Sequence, residues 1–257
     1  MPDPHIVVEE RDSICHIRIE RPQRRNALTV SMYSALVDTL READANPAIR
    51  AIVLTGTNDI FTGGNDLADF MESPPTGHDS PVFQFLLTLI DADTPLVAVI
   101  RGPAIGIGTT MLLHFDLVFC DEAAVFEMPF TKLALCPEGG SSLLLPQLCG
   151  LRRASELLLL SERFGAAIAK EVGLVNHVFS GERLEPEALA RVERLVSMPP
   201  ESVRLARRLM REPFRAQVKA AMDREGEQFI ARLHSEEARE AFTAFFEKRA
   251  PDFSRFT

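Results

Sequence analysis

Short apolar segments alternate with helical patterns along the first two thirds of the chain. In residues 14–20 apolar and polar side chains alternate, which predicts a half-buried strand. Apolar residues then recur at helical spacing over 32–43, and Ser31 is predicted to cap that helix. The wholly apolar run 51–54 predicts a second strand, buried on both faces.

The same cycle repeats further along the chain. A helix is predicted at about 82–92, followed by a buried strand at 96–100, and further strands are predicted at 117–120 and 174–179. Strands that alternate with helices indicate an α/β core with parallel pairing. The segment 72–81, rich in Pro, Ser, Gly and Asp, is predicted to be a loop.

From about residue 181 the strand pattern ends and helices are predicted as far as Lys248. One helix is predicted over 200–211 and is expected to break at Pro213. A longer helix is predicted after it, because apolar residues again recur at helical spacing. The chain is therefore divided into a core, residues 1–180, and a helical segment, residues 181–257. The apolar stripe of the last predicted helix is Val218, Met222, Phe229 and Leu233.

Composition narrows the classes of function. The net charge is −9, which disfavours extensive binding to nucleic acid or to an anionic membrane. No apolar run approaches the roughly 20 residues of a membrane span, and the first residues resemble no secretory signal, so a cytoplasmic location is expected. The four cysteines form no CxxC pair and the histidines are scattered, so reduced thiols and no metal site are expected.

Two glycine-containing turns share one design: each follows an apolar strand and precedes a helix. They are residues 63–66, Gly-Gly-Asn-Asp, and residues 106–108, Gly-Ile-Gly. The first N–H groups of a helix lack intrahelical partners, so two such turns could together form an oxyanion hole. Taken singly, each is more simply an ordinary turn of an α/β protein, and it is the two turns together that favour a functional interpretation. A dinucleotide fingerprint is excluded because the second turn lacks a third glycine at the required offset.

Five segments share a recognisable pattern in a fixed order: 21–28, 61–67, 95–108, 171–175 and 247–249 with Phe253. Together they resemble the enoyl-CoA hydratase/isomerase (crotonase) superfamily. The resemblance spans almost the whole chain and implies a ββα-spiral α/β core with a helical C-terminal trimerisation segment. It also implies an acyl-CoA thioester substrate, no cofactor beyond the CoA of that substrate, and a homotrimer or a hexamer.

Carried over position by position, the resemblance assigns the two oxyanion N–H groups to Asn65 and Ile107. Positions matching those that bind CoA or substrate lie in the first segment, in the two turns and in the tail. Local positive charge near Arg25 and Lys248 would then meet an anionic ligand on an acidic chain. The positions are Arg25, Ala27, Gly63, Asp66, Leu67, Gly106, Phe130, Lys248 and Phe253.

Departures from the family pattern indicate which reaction to expect. Hydratases of this superfamily use two glutamates, and the matching positions here are Thr110 and Phe130. Neither residue can act as a general base at neutral pH. Hydration is therefore disfavoured.

The segment 136–142 contains one acid, Glu138, and most resembles the Δ3,Δ2-enoyl-CoA isomerase branch, in which the matching glutamate is the lone acid/base. Moving a double bond from C3 to C2 takes a proton from C2 and returns it to C4, so one carboxylate suffices. An apolar pocket of Phe130, Leu133 and Leu135 is expected to raise its pKa. The alternative is that Glu138 only complements the dipole of the next helix.

Other polar residues have plainer interpretations. Asp66 could bind CoA or only cap a helix, and Asp69 could touch substrate. Asp116 is predicted to pair with backbone, and His114 to be a core histidine with its hydrogen bonds satisfied. The arginines at 204, 207, 208 and 211 are predicted to form a solvated helix face. Two alternatives to the isomerase remain open: another crotonase-type reaction such as hydration, and a non-catalytic acyl-CoA-binding or scaffold protein.

Overall fold

The computed structural model describes residues 3–57 and 59–256 and has a mixed α/β architecture. The predicted α/β class and the helical C-terminal segment are confirmed, since strands end at Phe179 and the structure continues in helices. The strands are β1 (Ile6–Arg11), β2 (Ile14–Ile19), β3 (Ala51–Thr55), β4 (Leu96–Ile100), β5 (Pro103–Ile105), β6 (Leu117–Asp121), β7 (Val125–Glu127), β8 (Phe164–Gly165) and β9 (His177–Phe179). The α-helices are α1 (Val30–Ala45), α2 (Leu67–Glu72), α3 (Pro81–Asp91), α4 (Ile107–Thr110), α5 (Ser141–Cys149), α6 (Leu151–Leu159), α7 (Ala166–Glu171), α8 (Gly181–Val196), α9 (Pro200–Leu233) and α10 (Glu236–Glu247).

The larger sheet has the strand order β1-β2-β3-β4-β6-β9, and all its pairs are parallel except β1 with β2. The central strands of this sheet carry apolar side chains on both faces, and helices cover both faces of the sheet. One face packs against α1 and α3, and the other packs against α8 through Leu184, Ala188 and Val192. Continuous apolar runs are the expected pattern for such buried parallel strands.

A second, smaller sheet has the order β5-β7-β8. The sequence pattern did not predict it, because strands of two or three residues are too short to show a period. Strand β1 was also missed. It lies at the edge of the large sheet with four of its six residues exposed, and its sequence, three apolar residues followed by three charged ones, does not alternate. The small sheet matters because it fixes the backbone around Gly106, whose N–H donates to the Glu127 carbonyl at 2.8 Å.

Three predicted boundaries are wrong for identifiable reasons. The cap of α1 is Thr29 rather than Ser31, since the Thr29 hydroxyl accepts from the Met32 N–H. The strand predicted over 174–179 is shorter, β9, because the N–H groups of Leu174 and Val175 are bonded to Ala169 at the end of α7. The helix α9 does not break at Pro213; it continues through the proline and is 34 residues long in all.

Contacts on both sides of Pro213 hold α9 in one piece. Before the proline, Arg207 and Arg211 form ion pairs with Asp116 at 2.7 and 2.9 Å. After it, Lys219 pairs with Asp91 at 2.7 Å, and Met222 is buried in the core. These contacts outweigh the roughly 3 kcal/mol that a proline costs inside a helix.

The arginines of α9 are not a uniformly solvated face, which corrects the prediction. Arg207 is only 3% exposed and also donates to the Ala92 carbonyl, and Arg204 donates to the Ile49 carbonyl at 3.2 Å. Of the predicted set, Arg208 is the exposed member. Asp116 accepts from the Leu96 N–H at 2.8 Å, so its predicted backbone pairing is confirmed.

Across the described residues, no helix combines the length and apolar character of a membrane span.

Candidate active site

The two glycine-containing turns lie side by side. Thr62 donates its N–H to the Pro103 carbonyl at 3.1 Å, and its own carbonyl accepts from the Ile105 N–H at 3.0 Å. At the end of this pairing, Gly64 has φ +88°, and a Cβ there would lie 2.7 Å from the Ile105 carbonyl oxygen. Glycine is therefore required at this position, both for its conformation and for the close approach of the two turns.

The N–H groups of Asn65 and Ile107 donate no hydrogen bond to any acceptor within residues 3–57 and 59–256. Their neighbours are paired: the Asp66 N–H donates to Leu28 at 2.8 Å, and the Gly106 N–H is bonded as described above. Unpaired backbone donors beside a pocket can receive an oxyanion.

The Asn65 side chain is held by Tyr33, whose hydroxyl donates to Asn65 Oδ1 at 2.6 Å. Tyr33 is almost fully buried, and burial raises the pKa of its phenol well above the usual value, so the phenol stays protonated and remains a donor. This bond orients the Asn65 backbone in the first turn. Tyr33 was not identified from the sequence, where it is simply one residue of an amphipathic helix.

A small apolar pocket, with a cavity volume of about 30 Å³, opens beside Asn65. Its walls come from α2, α3 and α9, from the first glycine turn, from the segment after α2 and from the turn that precedes α5. Glu138 is the one acidic residue among the described residues that line it. The lining residues are Asn65, Phe70, Pro75, Val82, Phe83, Leu86, Glu138, Gly139, Met222, Gly226 and Phe229.

The composition of this wall corrects a prediction. Phe130, Leu133 and Leu135 were expected to surround Glu138, but none of them lines the pocket. Phe130 and Leu135 are buried in the core instead. Phe229, Met222 and Gly226 come from α9, more than 80 positions further along the chain, so no local pattern around Glu138 could have indicated them.

Glu138 is held by the side chain of Thr110, which the sequence resemblance matched to one of the two hydratase glutamates. The Thr110 hydroxyl donates to Glu138 Oε1. Burial raises the pKa of Glu138 to about 8; the Thr110 hydrogen bond lowers it, and the nearby Glu225 carboxylate raises it. A carboxyl whose pKa lies near neutrality can both accept and return a proton.

His114 is a core histidine with a hydrogen-bond partner, as predicted. It is 1% exposed, and its Nε2 lies 2.7 Å from the Gly139 carbonyl oxygen. Burial lowers the pKa of His114 to about 4, so the ring is neutral at pH 7 and donates to that carbonyl. It therefore holds the turn that follows Glu138 and adds no charge to the site.

Asp66 and Asp69 have local structural partners. Asp66 caps α2 by accepting from the N–H groups of Ala68 and Asp69, and it forms an ion pair with Arg21 at 2.7 Å. Asp69 accepts from the Val30 N–H at 2.8 Å. Both carboxylates therefore already have hydrogen-bond partners within the protein.

The segment carrying Arg25 and Ala27 packs against the first turn. The Gly63 N–H donates to the Arg25 carbonyl at 2.9 Å, while the Arg25 side chain is exposed. Asn26, fully buried, ties the two segments by donating to the Ile60 carbonyl at 2.9 Å. Arg25, Ala27 and Gly63 are thus brought together next to Asn65.

Of the four remaining predicted positions, two lie at the glycine turns and two lie in the C-terminal tail. Leu67 begins α2, directly after the first turn, and Gly106 precedes Ile107 with φ +59°. Lys248 is exposed at the end of α10, and the Phe253 ring lies 6.5 Å from that of Phe256. Lys248 and Phe253 therefore belong to the tail and do not line the pocket.

The sequence of the chain matches a model of a known protein family. The enoyl-CoA hydratase/isomerase family model covers residues 9–255. The chain belongs to the enoyl-CoA hydratase/isomerase family. Its fold is the crotonase fold that the sequence resemblance implied.

Relatives in this family carry the names of different reactions. The chain is 31% identical to human enoyl-CoA delta isomerase 2 over 252 residues, which are 95% of this chain and 64% of that protein. It therefore spans less than two thirds of that relative's length. It is 32% identical to enoyl-CoA hydratase EchA19 of Mycobacterium tuberculosis over 97% of this chain and 96% of the relative.

Solved structures of family members match almost the whole chain. The enoyl-CoA hydratase/isomerase from Pseudoalteromonas atlantica T6c is 41% identical, with a TM-score of 0.92. The match covers 97% of this chain and 99% of that one. Family membership thus extends over the turns, the pocket and α9.

Proposed function

We propose that this family member is a Δ3,Δ2-enoyl-CoA isomerase in which Glu138 is the single acid/base. The observation that carries the proposal is that Glu138 is the one acid among the described residues lining the pocket, and Asn65 lines the same pocket. Glu138 removes a proton from C2 of a 3-enoyl-CoA and returns it to C4. The double bond then lies between C2 and C3.

The N–H groups of Asn65 and Ile107 stabilise the enolate oxygen of the thioester. Both are unpaired in the described part of the chain, so no internal bond must break before they bind an oxyanion. Losing one such donor typically costs on the order of 10²–10³ in rate. Glycine at 64 and 106 lets the thioester approach the backbone closely.

The apolar wall of the pocket supports proton transfer within the site. Phe70, Phe229 and Met222 exclude water from the dienolate between the two proton transfers. A pKa of about 8 for Glu138 suits a group that must hold the proton briefly and then release it.

Hydration is a weaker candidate because it needs a group to activate water and a second group to deliver a proton. Neither hydratase position carries a carboxylate, and Thr110 is engaged with Glu138. Phe130 is buried and does not line this pocket, and its contact with substrate stays a proposal.

The CoA moiety is proposed to follow the surface beside the first turn. Arg25, Ala27 and Gly63 lie together there, and the Arg25 side chain is exposed and free to meet a phosphate. The remaining proposed contacts are Asp66, Leu67 and Gly106, with the tail residues Lys248 and Phe253. Because the tail residues do not line the pocket of their own chain, we propose that they act across a subunit boundary in a homotrimer or hexamer.

The test offers the purified protein a 3-enoyl-CoA and a 2-enoyl-CoA and compares wild type with Glu138→Gln. We expect isomerisation by the wild type and a loss of about 10²–10⁴ in kcat in the variant. The matched control is Glu227→Gln, which removes the same charge from an exposed position on α9. It should leave isomerisation unchanged.

Each other outcome selects an alternative. Isomerisation that survives in Glu138→Gln would exclude Glu138 as the base. Fast hydration of the 2-enoyl-CoA would favour a hydratase, and binding of both thioesters without turnover would favour an acyl-CoA-binding protein.

A further inference from the structure

A second buried acid lies on α9 within reach of the segment that carries Glu138. Glu225 is 7% exposed, and both its carboxylate oxygens accept backbone hydrogen bonds. Oε2 accepts from the Gly140 N–H at 2.6 Å, and Oε1 accepts from the Ser142 N–H at 2.8 Å. A buried carboxylate is unfavourable unless such bonds compensate for lost water, so these contacts fix where Glu225 must sit.

The hydrogen bonds of Glu225 hold the turn between Glu138 and Ser142, and other contacts fix the remaining residues of the same turn. The Glu138 carbonyl accepts from the Ser141 N–H at 3.1 Å, and Gly139 and Gly140 both have positive φ. His114, in the segment between α4 and β6, donates a hydrogen bond to the Gly139 carbonyl. Gly140 is therefore anchored by Glu225, and Gly139 by His114.

Glu225 also links the acid to the pocket wall. Its helical neighbours Met222, Gly226 and Phe229 line the pocket. The same residue therefore sets the position of the Glu138 turn relative to the wall that would contact the acyl chain. The sequence of α9 alone gave no sign of this, because a glutamate in an amphipathic helix is ordinarily exposed.

Among the residues that the structure describes, Glu225 is the charged group that acts on Glu138, whereas the charge of Arg232 acts on Cys136 and that of Arg224 on Glu225. Thr110 of α4 and Tyr33 of α1 carry no charge at neutral pH, and the His114 ring is neutral. Burial raises the pKa of Cys136 to about 11, so its thiol is also protonated. Burial also raises the pKa of Glu225, while its hydrogen bonds from Ser142 and Gly140 favour its ionised form. The charge of ionised Glu225 raises the pKa of Glu138, after burial itself.

We propose that Glu225 is a positioning residue for Glu138: it fixes the turn that carries the acid, and its charge favours retention of the transferred proton on Glu138 between the two steps. This inference rests on the proposed isomerase function. Glu225 touches no reacting atom in the proposal, and its effect is exerted through Glu138.

The test measures the pH dependence of kcat and KM for Glu225→Gln, with Glu227→Gln as the control on the same helix. Removing the charge should move the acidic limb of the kcat/KM profile to lower pH by about one unit. It should also lower kcat on the plateau roughly threefold to tenfold, because a less basic and less firmly held carboxylate is a poorer base. KM should change little, and Glu227→Gln should match the wild type.

Glu225→Asp keeps the charge but shortens the reach, and it carries the test if the glutamine variant does not fold. It should retain the wild-type pH limb while its kcat falls. An acidic limb that is unmoved in Glu225→Gln, or a wild-type kcat in Glu225→Asp, would overturn the inference.

A titration without substrate separates this inference from the proposed function. In protein labelled with ¹³C-glutamate, the Glu138 resonance is assigned by its absence in Glu138→Gln, and its titration is compared between wild type and Glu225→Gln. A downward shift in a protein that does not isomerise would overturn the isomerase proposal but retain the coupling of the two acids. An unchanged titration in an active isomerase would overturn the inference alone.

Discussion

The Thr110 hydroxyl donates a hydrogen bond to the Glu138 carboxylate. Thr110 occupies a position where hydratases of the superfamily carry one of their two glutamates. Its hydroxyl also lies 3.5 Å from the Gly106 carbonyl oxygen, so it can accept from a protonated Glu138 and donate to Gly106 instead. The threonine can thus satisfy Glu138 in both protonation states, whereas a second carboxylate would repel it.

Thr110→Val should move the acidic limb of the kcat/KM profile to higher pH. The lost hydrogen bond is one that lowers the pKa of Glu138, so the carboxyl becomes harder to ionise. At pH 7 we expect roughly a threefold to tenfold loss of isomerisation. Thr110→Ser, which keeps the hydroxyl, is the control, and an identical limb in the valine variant would contradict the role given to Thr110.

Glu138→Gln should be more stable than the wild type at pH 8 but not at pH 4. The folded-state pKa of about 8 lies above the ordinary value of 4.5, so the folded protein binds more protons between these pH values. Stability therefore falls as pH rises through this window, by an amount on the order of a few kcal/mol for one buried acid. The glutamine variant lacks this loss. Urea unfolding of both proteins at pH 4, 6 and 8 measures it, and parallel stability curves would contradict the raised pKa.

Gly226→Ala should narrow the pocket. A Cβ at this position would lie 2.5 Å from Cε1 of Phe83, whose ring also lines the pocket, so the ring must shift. We expect KM to rise more for longer 3-enoyl-CoAs than for short ones, with a destabilisation of about 1–3 kcal/mol from overpacking. Gly165→Ala is the control, since a Cβ there meets no atom within 4 Å. Equal effects on every chain length would argue against this wall as the acyl site.

Arg207→Ala should destabilise the fold strongly, whereas Arg208→Ala should have little effect. Arg207 is 3% exposed, and its loss removes one partner of the half-buried Asp116, which keeps Arg211 and the Leu96 N–H. Losing such a charged hydrogen-bond partner typically costs about 1–3 kcal/mol. Arg208 pairs with Asp93 on the surface. Thermal or urea unfolding compares the two, and similar losses would contradict the difference in burial.

The sequence alone determined the α/β class, the main buried strands and the two turns, because each is encoded by local periodicity or by glycine next to a strand. The apolar runs of β3 and β4 were predictable for that reason. The two positions without a hydratase glutamate and the single acid of the segment 136–142 were also visible without a structure. Where local patterns were short or exposed, as in β1 and the small sheet, they carried no usable signal.

The tertiary structure alone decided which residues surround Glu138. The expected neighbours Phe130, Leu133 and Leu135 are close in sequence, yet the pocket wall comes from α2, α3 and α9. Pro213 was expected to end a helix, but ion pairs and burial on both sides of it preserve α9. That continuity places Glu225 at the N-terminus of α5. Such contacts depend on how distant elements pack, and the free energy of that packing exceeds the local preferences that a sequence pattern records.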